Sequence, residues 1–278
     1  MPIEVKNLTY SYNIGLPTET KALDGVSFEA VPGEIISIVG ETGSGKSTLA
    51  QHLNGLLFAQ DGYVRVDGME VLNGDPKLAE IRRKVGVVFQ YPEQQLFSET
   101  VEKEISFGPS NWGIAGAELK QRVLVSMDMM GLPRSLLERS PFTLSGGQKR
   151  RVAIASVLAS DPEYIVLDEP TAGLDRGGLN ELITILLSQV KVGKCVIHVT
   201  HDLELAMAIS TKILVLHGGR SISFGTPSET AEYLCGDTEA MPLLPDVLKL
   251  SKDLRNTNVT DGLAWKPREL AAMLIGGR

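Results

Sequence analysis

Residues Gly40-Glu41-Thr42-Gly43-Ser44-Gly45-Lys46-Ser47 constrain this chain more than any other stretch of it. They match the pattern G-x-x-x-x-G-K-S/T throughout. They sit between an apolar run, Ile35-Ile36-Ser37-Ile38-Val39, and a helical pattern that begins at Lys46. A strand that turns through glycines into a helix aims consecutive backbone N–H groups and the positive end of the helix dipole at one spot. A phosphate anion satisfies them. Gly43 and Gly45 let the backbone approach phosphate oxygens and accept positive φ at little steric cost. Lys46 then supplies a point charge to the β- and γ-phosphates, Ser47 a hydroxyl ligand for Mg2+, and Thr48 a hydroxyl toward the α-phosphate.

A second signal is the apolar run Tyr164-Ile165-Val166-Leu167, which ends in Asp168 and Glu169. Ligands of a parallel sheet bind outside the carboxyl ends of its strands, so this pair is expected beside the phosphate loop. There Asp168 suits Mg2+ through a water, and Glu169 is placed to polarise an attacking water or take its proton.

The rest of the chain sets the frame. Residues 1 to about 90 read as strands punctuated by Gly and Pro, interrupted by the helix at Lys46. From about Pro92 to Ser160 the pattern is helical, and strand–helix alternation then resumes through Cys195–Thr200 and Lys212–Gly219. That order predicts an α/β core carrying a helical insertion rather than two independent domains. The chain has 278 residues, 43% hydrophobic and 22% charged, and a net charge of -7, which argues against a protein that coats nucleic acid. No apolar run approaches the roughly 18 residues of a membrane helix, and the start lacks the regions of a signal peptide. A cytoplasmic protein that reaches any membrane through partners is expected. Its 2 cysteines, Cys195 and Cys235, read as small packing residues, and His52, His198 and His217 as satisfied structural side chains.

Leu144-Ser145-Gly146-Gly147-Gln148 leads into another helix, where Ser and Gly amides again suit an anion and Ser145 also suits an N-cap. Together with the two motifs above, this segment resembles the signature of the ABC ATPases, and the likeness covers about residues 3 to 235. The resemblance implies a P-loop NTPase core with an N-terminal antiparallel β subdomain. It implies an ATP-binding domain over 1–236, with a helical subdomain at about 92–160, and a helical extension over 237–278. It also implies two subunits sandwiching ATP and Mg2+, with Ser145, Gly146, Gly147 and Gln148 serving the nucleotide on the opposite subunit.

Other positions match the family residue by residue. Gln90 resembles the glutamine that links the Mg2+ and nucleotide site to the helical insert. Gly173-Leu174-Asp175 is similar to the loop joining the two active sites, although Arg176 stands where the family often has proline. His201 resembles the histidine that senses the γ-phosphate, and Tyr12 the aromatic that stacks on adenine, with Tyr10 two residues away as the other candidate.

A finer likeness lies in Phe89–Phe97, Thr100–Glu102 and Phe107–Pro109. These resemble the second of the paired ATPases of energy-coupling factor transporters, which import vitamins or transition-metal ions. The implied partners are a transmembrane scaffold subunit, a substrate-capture subunit, and a like or related ATPase, at the cytoplasmic face of the cell membrane. Phe97, Val101 and Ile105 recur every four residues, a stripe that either receives a partner helix or faces its own domain. The rival readings are the ATPase of another transporter class and a non-transport ABC ATPase acting on ribosome or DNA. The latter is disfavoured by the acidic balance and the single cassette. The C-terminal pattern Trp265–Arg278 predicts an amphipathic helix, either a lid on its own domain or a dimerisation element.

Overall fold

The structure is a computed structural model that describes residues 1–171, 174–236, 244–257, 259–260 and 262–276. The N-terminal part forms a four-stranded antiparallel sheet in the order β2-β1-β4-β5. Its strands are β1 (Ile3–Tyr12), β2 (Thr20–Ala30), β4 (Asp61–Val66) and β5 (Met69–Glu70). Between β2 and β4 the chain builds β3 (Ile35–Gly40) and α1 (Lys46–Leu53), then continues through α2 (Leu78–Lys84) to β6 (Val85–Val88).

The second sheet has six strands in the order β10-β9-β3-β8-β7-β6. It combines β3 and β6 with β7 (Tyr164–Asp168), β8 (Cys195–Thr200), β9 (Lys212–His217) and β10 (Arg220–Gly225). All pairings are parallel except that of β9 with β10. Strands β3, β7 and β8 are buried at every residue, which is why each reads as a continuous apolar run rather than an alternation. The expected α/β architecture, mostly parallel with an antiparallel N-terminal sheet, is therefore present.

One face of the parallel sheet packs on the antiparallel sheet through Leu8, Leu23, Leu49, Val166 and Ile197. The other face, through Ile35, Ile165, Leu167 and Val196, packs on helices inserted between β6 and β7. These are α3 (Val101–Asn111), α4 (Gly116–Met129) and α5 (Gly146–Leu158), with 3-10 turns at Pro92–Gln95, Arg134–Leu136 and Pro141–Thr143. After β7 come α6 (Arg176–Lys191), α7 (Leu203–Ile209), α8 (Pro227–Gly236), α9 (Asp246–Asn256) and α10 (Pro267–Gly276). The expected C-terminal helix is α10. Within the C-terminal region, Leu244 and Leu248 pack with Leu203, Met207, Ala231 and Leu234, and Leu263 and Trp265 lie against the same cluster. Residues 237–243 lie outside the described residues.

Of the two readings open for the stripe at Phe97, Val101 and Ile105, the structure selects the chain's own domain for Val101 and Ile105. Val101 and Ile105 are fully buried in the core under the parallel sheet, so α3 turns that face inward. Only Phe97 projects, at 59% exposure, and it pairs with Phe107 at 50%, ring centroids 4.9 Å apart and nearly perpendicular. Four-residue spacing marks a helical face but does not say which way that face points.

Candidate active site

Strands β3, β7 and β8 lie side by side, and Lys46, Asp168, Glu169 and His201 lie at or just beyond their ends. The turn after β3 is built against neighbouring backbone. Gly45, the N-cap of α1, has φ 99°, and a Cβ there would lie 2.4 Å from the Ala22 carbonyl oxygen on β2. A Cβ on Gly40 would lie 2.3 Å from the Leu216 carbonyl oxygen on β9. Only glycine lets the loop pass at both places.

Lys46 is buried, and its Nζ donates to the carbonyl oxygens of Gly40 and Glu41 at 2.8 and 3.0 Å. Burial lowers its pKa, while the Glu169 and Asp168 charges pull it back up. The side chain thus curls over the loop that carries it. Ser44 is buried and its hydroxyl has no protein partner. Thr48, on the first turn of α1, meets the Tyr12 hydroxyl at 3.2 Å through its Oγ1.

Asp168 ends β7 and is almost fully buried. Burial raises its pKa, opposed by a hydrogen bond from Ser47, and the Glu169 charge raises it further against the pull of Lys46. Its Oδ1 is buried with no protein partner. Glu169 follows with φ 47°, a left-handed conformation that L side chains rarely adopt. Its own N–H donates to the Val199 carbonyl on β8 at 2.9 Å. Strain of this kind persists only where surrounding structure enforces it, and it turns the carboxylate out of the sheet toward the turn after β8. There His201 Nδ1 donates to both Glu169 oxygens, each at 3.0 Å. His201 is 70% exposed and the Glu169 side chain 12%.

Ser145 begins α5 with a full capping box. Its Oγ accepts from Gln148 N at 3.3 Å, and Gln148 Oε1 accepts from Ser145 N at 3.1 Å. The N-cap reading therefore holds, and Ser145, Gly146 and Gly147 remain exposed. Asp175 caps α6 by accepting from Gly178 N at 2.8 Å. Gly173, the first residue of that motif, lies outside the described residues. Gln90 is exposed in the turn after β6.

Residues 23–172 match the profile of the ABC transporter family. The chain belongs to that family. It is 45% identical over 258 residues to the energy-coupling factor transporter ATP-binding protein EcfA2 of Clostridioides difficile, covering 92% of this chain and 90% of the relative. The EcfA2 protein of Listeria monocytogenes is 47% identical over 232 residues, 82% of this chain and 81% of that one. Among solved structures, cbiO1 of Clostridium perfringens, part of the ABC transporter complex cbiONQ, superposes with a TM-score of 0.73 at 34% identity. That match covers 86% of this chain and 96% of cbiO1. A dimeric ATP-binding cassette in a post-hydrolysis state, bound to ADP and Pi, matches with a TM-score of 0.72 at 32% identity, covering 81% and 98%. The chain is an ATP-binding ABC ATPase of the energy-coupling factor type, which couples ATP hydrolysis to transport.

In this ABC ATPase two further contacts were not read from the sequence. Arg150 of α5, nearly buried, donates from Nε and Nη2 to the two Glu93 oxygens at 3.2 and 3.3 Å, tying the helix behind Ser145 to the turn after Gln90. Buried Glu104 of α3 accepts from the backbone N–H groups of Phe97 and Ser98 at 3.0 and 2.7 Å. Among the described residues no helix is long and apolar enough to cross a membrane.

Proposed function

We propose that this subunit holds Mg-ATP between its Gly40–Thr48 turn and the Ser145–Gln148 segment of a second ATPase subunit, and that Glu169 activates the attacking water. The observation that carries the reading is the meeting of three strand ends. Lys46, buried Asp168 and the His201-clamped Glu169 converge beside a turn where a Cβ at Gly40 or Gly45 would strike neighbouring backbone. Lys46 exchanges its carbonyl partners for phosphate oxygens, Ser44 donates its unpartnered hydroxyl, and the Tyr12 ring stacks on adenine.

Mg2+ fits the donor set. An orphaned carboxylate oxygen on Asp168 lies beside the Ser47 hydroxyl, and among the described residues no cluster of three or more His, Cys, Asp or Glu competes for the ion. Ser47 and Asp168 would hold it, with Gln90 as a further contact and phosphate oxygens completing the set. When bound, the ion neutralises charge on the phosphates. Glu169 takes a proton from water, and His201 orients that carboxylate. Lys46, His201 and the opposite subunit's signature hydroxyl and amides stabilise the charge spread over the transferred phosphoryl. Asp175 sits at the start of α6, facing the junction of the two sites.

Residues 1–236 act as the ATP-binding domain, with 92–160 as its helical subdomain and 237–278 as a helical extension, either a lid on its own domain or a dimerisation element. The partner ATPase is a second copy or a related chain. The Gln90–Phe107 region receives helices of a transmembrane scaffold subunit, which holds the protein peripherally at the cytoplasmic face of the cell membrane. The exposed Phe97–Phe107 pair supports this, together with a groove of about 290 Å3 beside it lined by Val88, Leu96, Gly108 and Trp112. A separate substrate-capture subunit selects the vitamin or metal ion. Replacing Glu169 by Gln should lower turnover by roughly two or more decades while ATP affinity changes by only a few-fold. Hydrolysis at the original rate would overturn the assignment.

A further inference from the structure

Behind the Tyr12 ring lies a second layer of rings. Tyr10 and Tyr12 fall on one face of β1 by strand alternation, and their ring centroids are 4.9 Å apart at 83°. Tyr10 then meets the His52 ring on α1 at 4.8 Å and 76°. His52 is fully buried, and its Nδ1 donates to the Thr48 carbonyl at 2.7 Å, which fixes the Nδ1–H tautomer. Burial lowers the imidazole pKa, against the Thr48 and Phe58 backbone groups that raise it. The circuit closes where the Tyr12 hydroxyl meets Thr48 Oγ1 at 3.2 Å.

Four side chains thus join the strand that presents the ring to the helix that begins at Lys46. Edge-to-face contacts have a preferred geometry, so the Tyr12 ring, backed by Tyr10, which is itself backed by His52, has a defined position as well as a defined neighbour. The hydrogen bond to Thr48 fixes His52 against its own helix, and Thr48 belongs to the turn that follows the phosphate loop. A core that merely needed filling at position 52 would take leucine without the cost of a buried imidazole.

We infer that Tyr10 and His52 are positioning residues that hold the Tyr12 ring in register with the phosphate loop, so that the base and the phosphates of one purine nucleoside triphosphate are gripped as a unit. This rests on the reading that Tyr12 stacks on the base. The affinity at stake is the part the base contributes, and the part contributed by phosphate should be indifferent to the rings.

Binding of ATP and of inorganic tripolyphosphate to the full chain separates the two parts. Tyr10→Leu and His52→Leu are each expected to weaken ATP roughly three- to tenfold, the worth of an aromatic pair. Both should leave tripolyphosphate within twofold. Tyr10→Phe keeps the ring edge and should bind both ligands like the parent chain. In a Tyr12→Ala background, Tyr10→Leu should cost nothing more, because a residue that acts through another loses its effect when the other is gone. Equal losses for ATP and tripolyphosphate, or additive losses in the double variant, would mean that the rings only support α1, and would overturn the inference. If Tyr12→Ala weakens ATP but neither Leu variant does, the inference falls and the base-stacking reading stands. If Tyr12→Ala itself leaves ATP affinity unchanged, both fall. Should one Leu variant fail to fold, the other carries the same comparison.

Discussion

At the end of β3 the chain makes its site out of backbone. The turn passes within touching distance of the Ala22 and Leu216 carbonyls, and even Lys46 spends its charge on main-chain oxygens. At α3 the working surface is made of side chains, and one helix serves two masters. Val101 and Ile105 point into the core while Phe107 points out, next to Phe97 from the preceding turn. A backbone-built site needs particular residues at particular places, because a single Cβ closes it. A side-chain surface needs only apolar residues on some face, and the core makes the same demand.

The comparison can be sharpened by substitution, taken in order of the expected cost to this chain's own stability. Ile105→Ala should be the largest, at about 2–5 kcal/mol, because it opens a cavity in a fully buried position beneath the parallel sheet. Urea unfolding reads this directly. A loss under about 1 kcal/mol would put Ile105 on the outer face after all. Gly45→Ala comes next. The left-handed backbone alone costs about 1–3 kcal/mol, and the Ala22 carbonyl at 2.4 Å forces some movement besides. Its melting temperature should fall and its ATP affinity should fall with it, since the amides that face phosphate belong to the displaced turn. Wild-type ATP binding would show that the turn tolerates what its geometry forbids.

That contrast also explains what could be read from residues alone. The glycine turn, the acidic strand end and the signature were legible because each chemistry demands residue types at fixed spacing. The fully buried strands were legible as unbroken apolar runs. The short helix α2 is not legible, because two polar turns between Pro and Gly look like loop until neighbours pack on them. Tyr10 and Tyr12 shared one strand face, and nothing in the order of residues separated the ring in front from the ring behind. The left-handed Glu169 was hidden for a different reason. Its conformation is imposed by the backbone bond to Val199, a partner from another strand. The Glu93–Arg150 pair likewise joins residues far apart in the chain.

That pair joins α5 to the turn after Gln90, and it offers a third, smaller effect. Glu93→Gln keeps the shape and one acceptor but removes the charge facing Arg150. Because Glu93 is partly solvated, the expected cost is only about 1 kcal/mol. The parent chain should lose some of this advantage in high salt, and the variant should not. Equal stability at all salt concentrations would mean that α5 and the turn after Gln90 are held together by packing alone.

The smallest effect on the chain itself belongs to Phe97, the residue proposed to meet the transmembrane subunit. Phe97 is mostly exposed, so Phe97→Ala removes an edge-to-face neighbour of Phe107 and little else, and its cost should stay within about 0.5 kcal/mol. Basal hydrolysis should be unchanged, because Phe97 has no part in the proposed nucleotide site. Assembly with the transmembrane subunit is where the loss should appear. An exposed aromatic anchor beside a groove is the kind of residue whose truncation costs about 2 kcal/mol or more of binding, some thirtyfold in affinity. Pairing the variant with Ile105→Ala separates the two faces of the region cleanly. One should be unstable yet still docked whenever it is folded, and the other stable yet undocked. If Phe97→Ala assembles as well as the parent chain, the docking face lies elsewhere, and the exposed ring pair is ordinary surface.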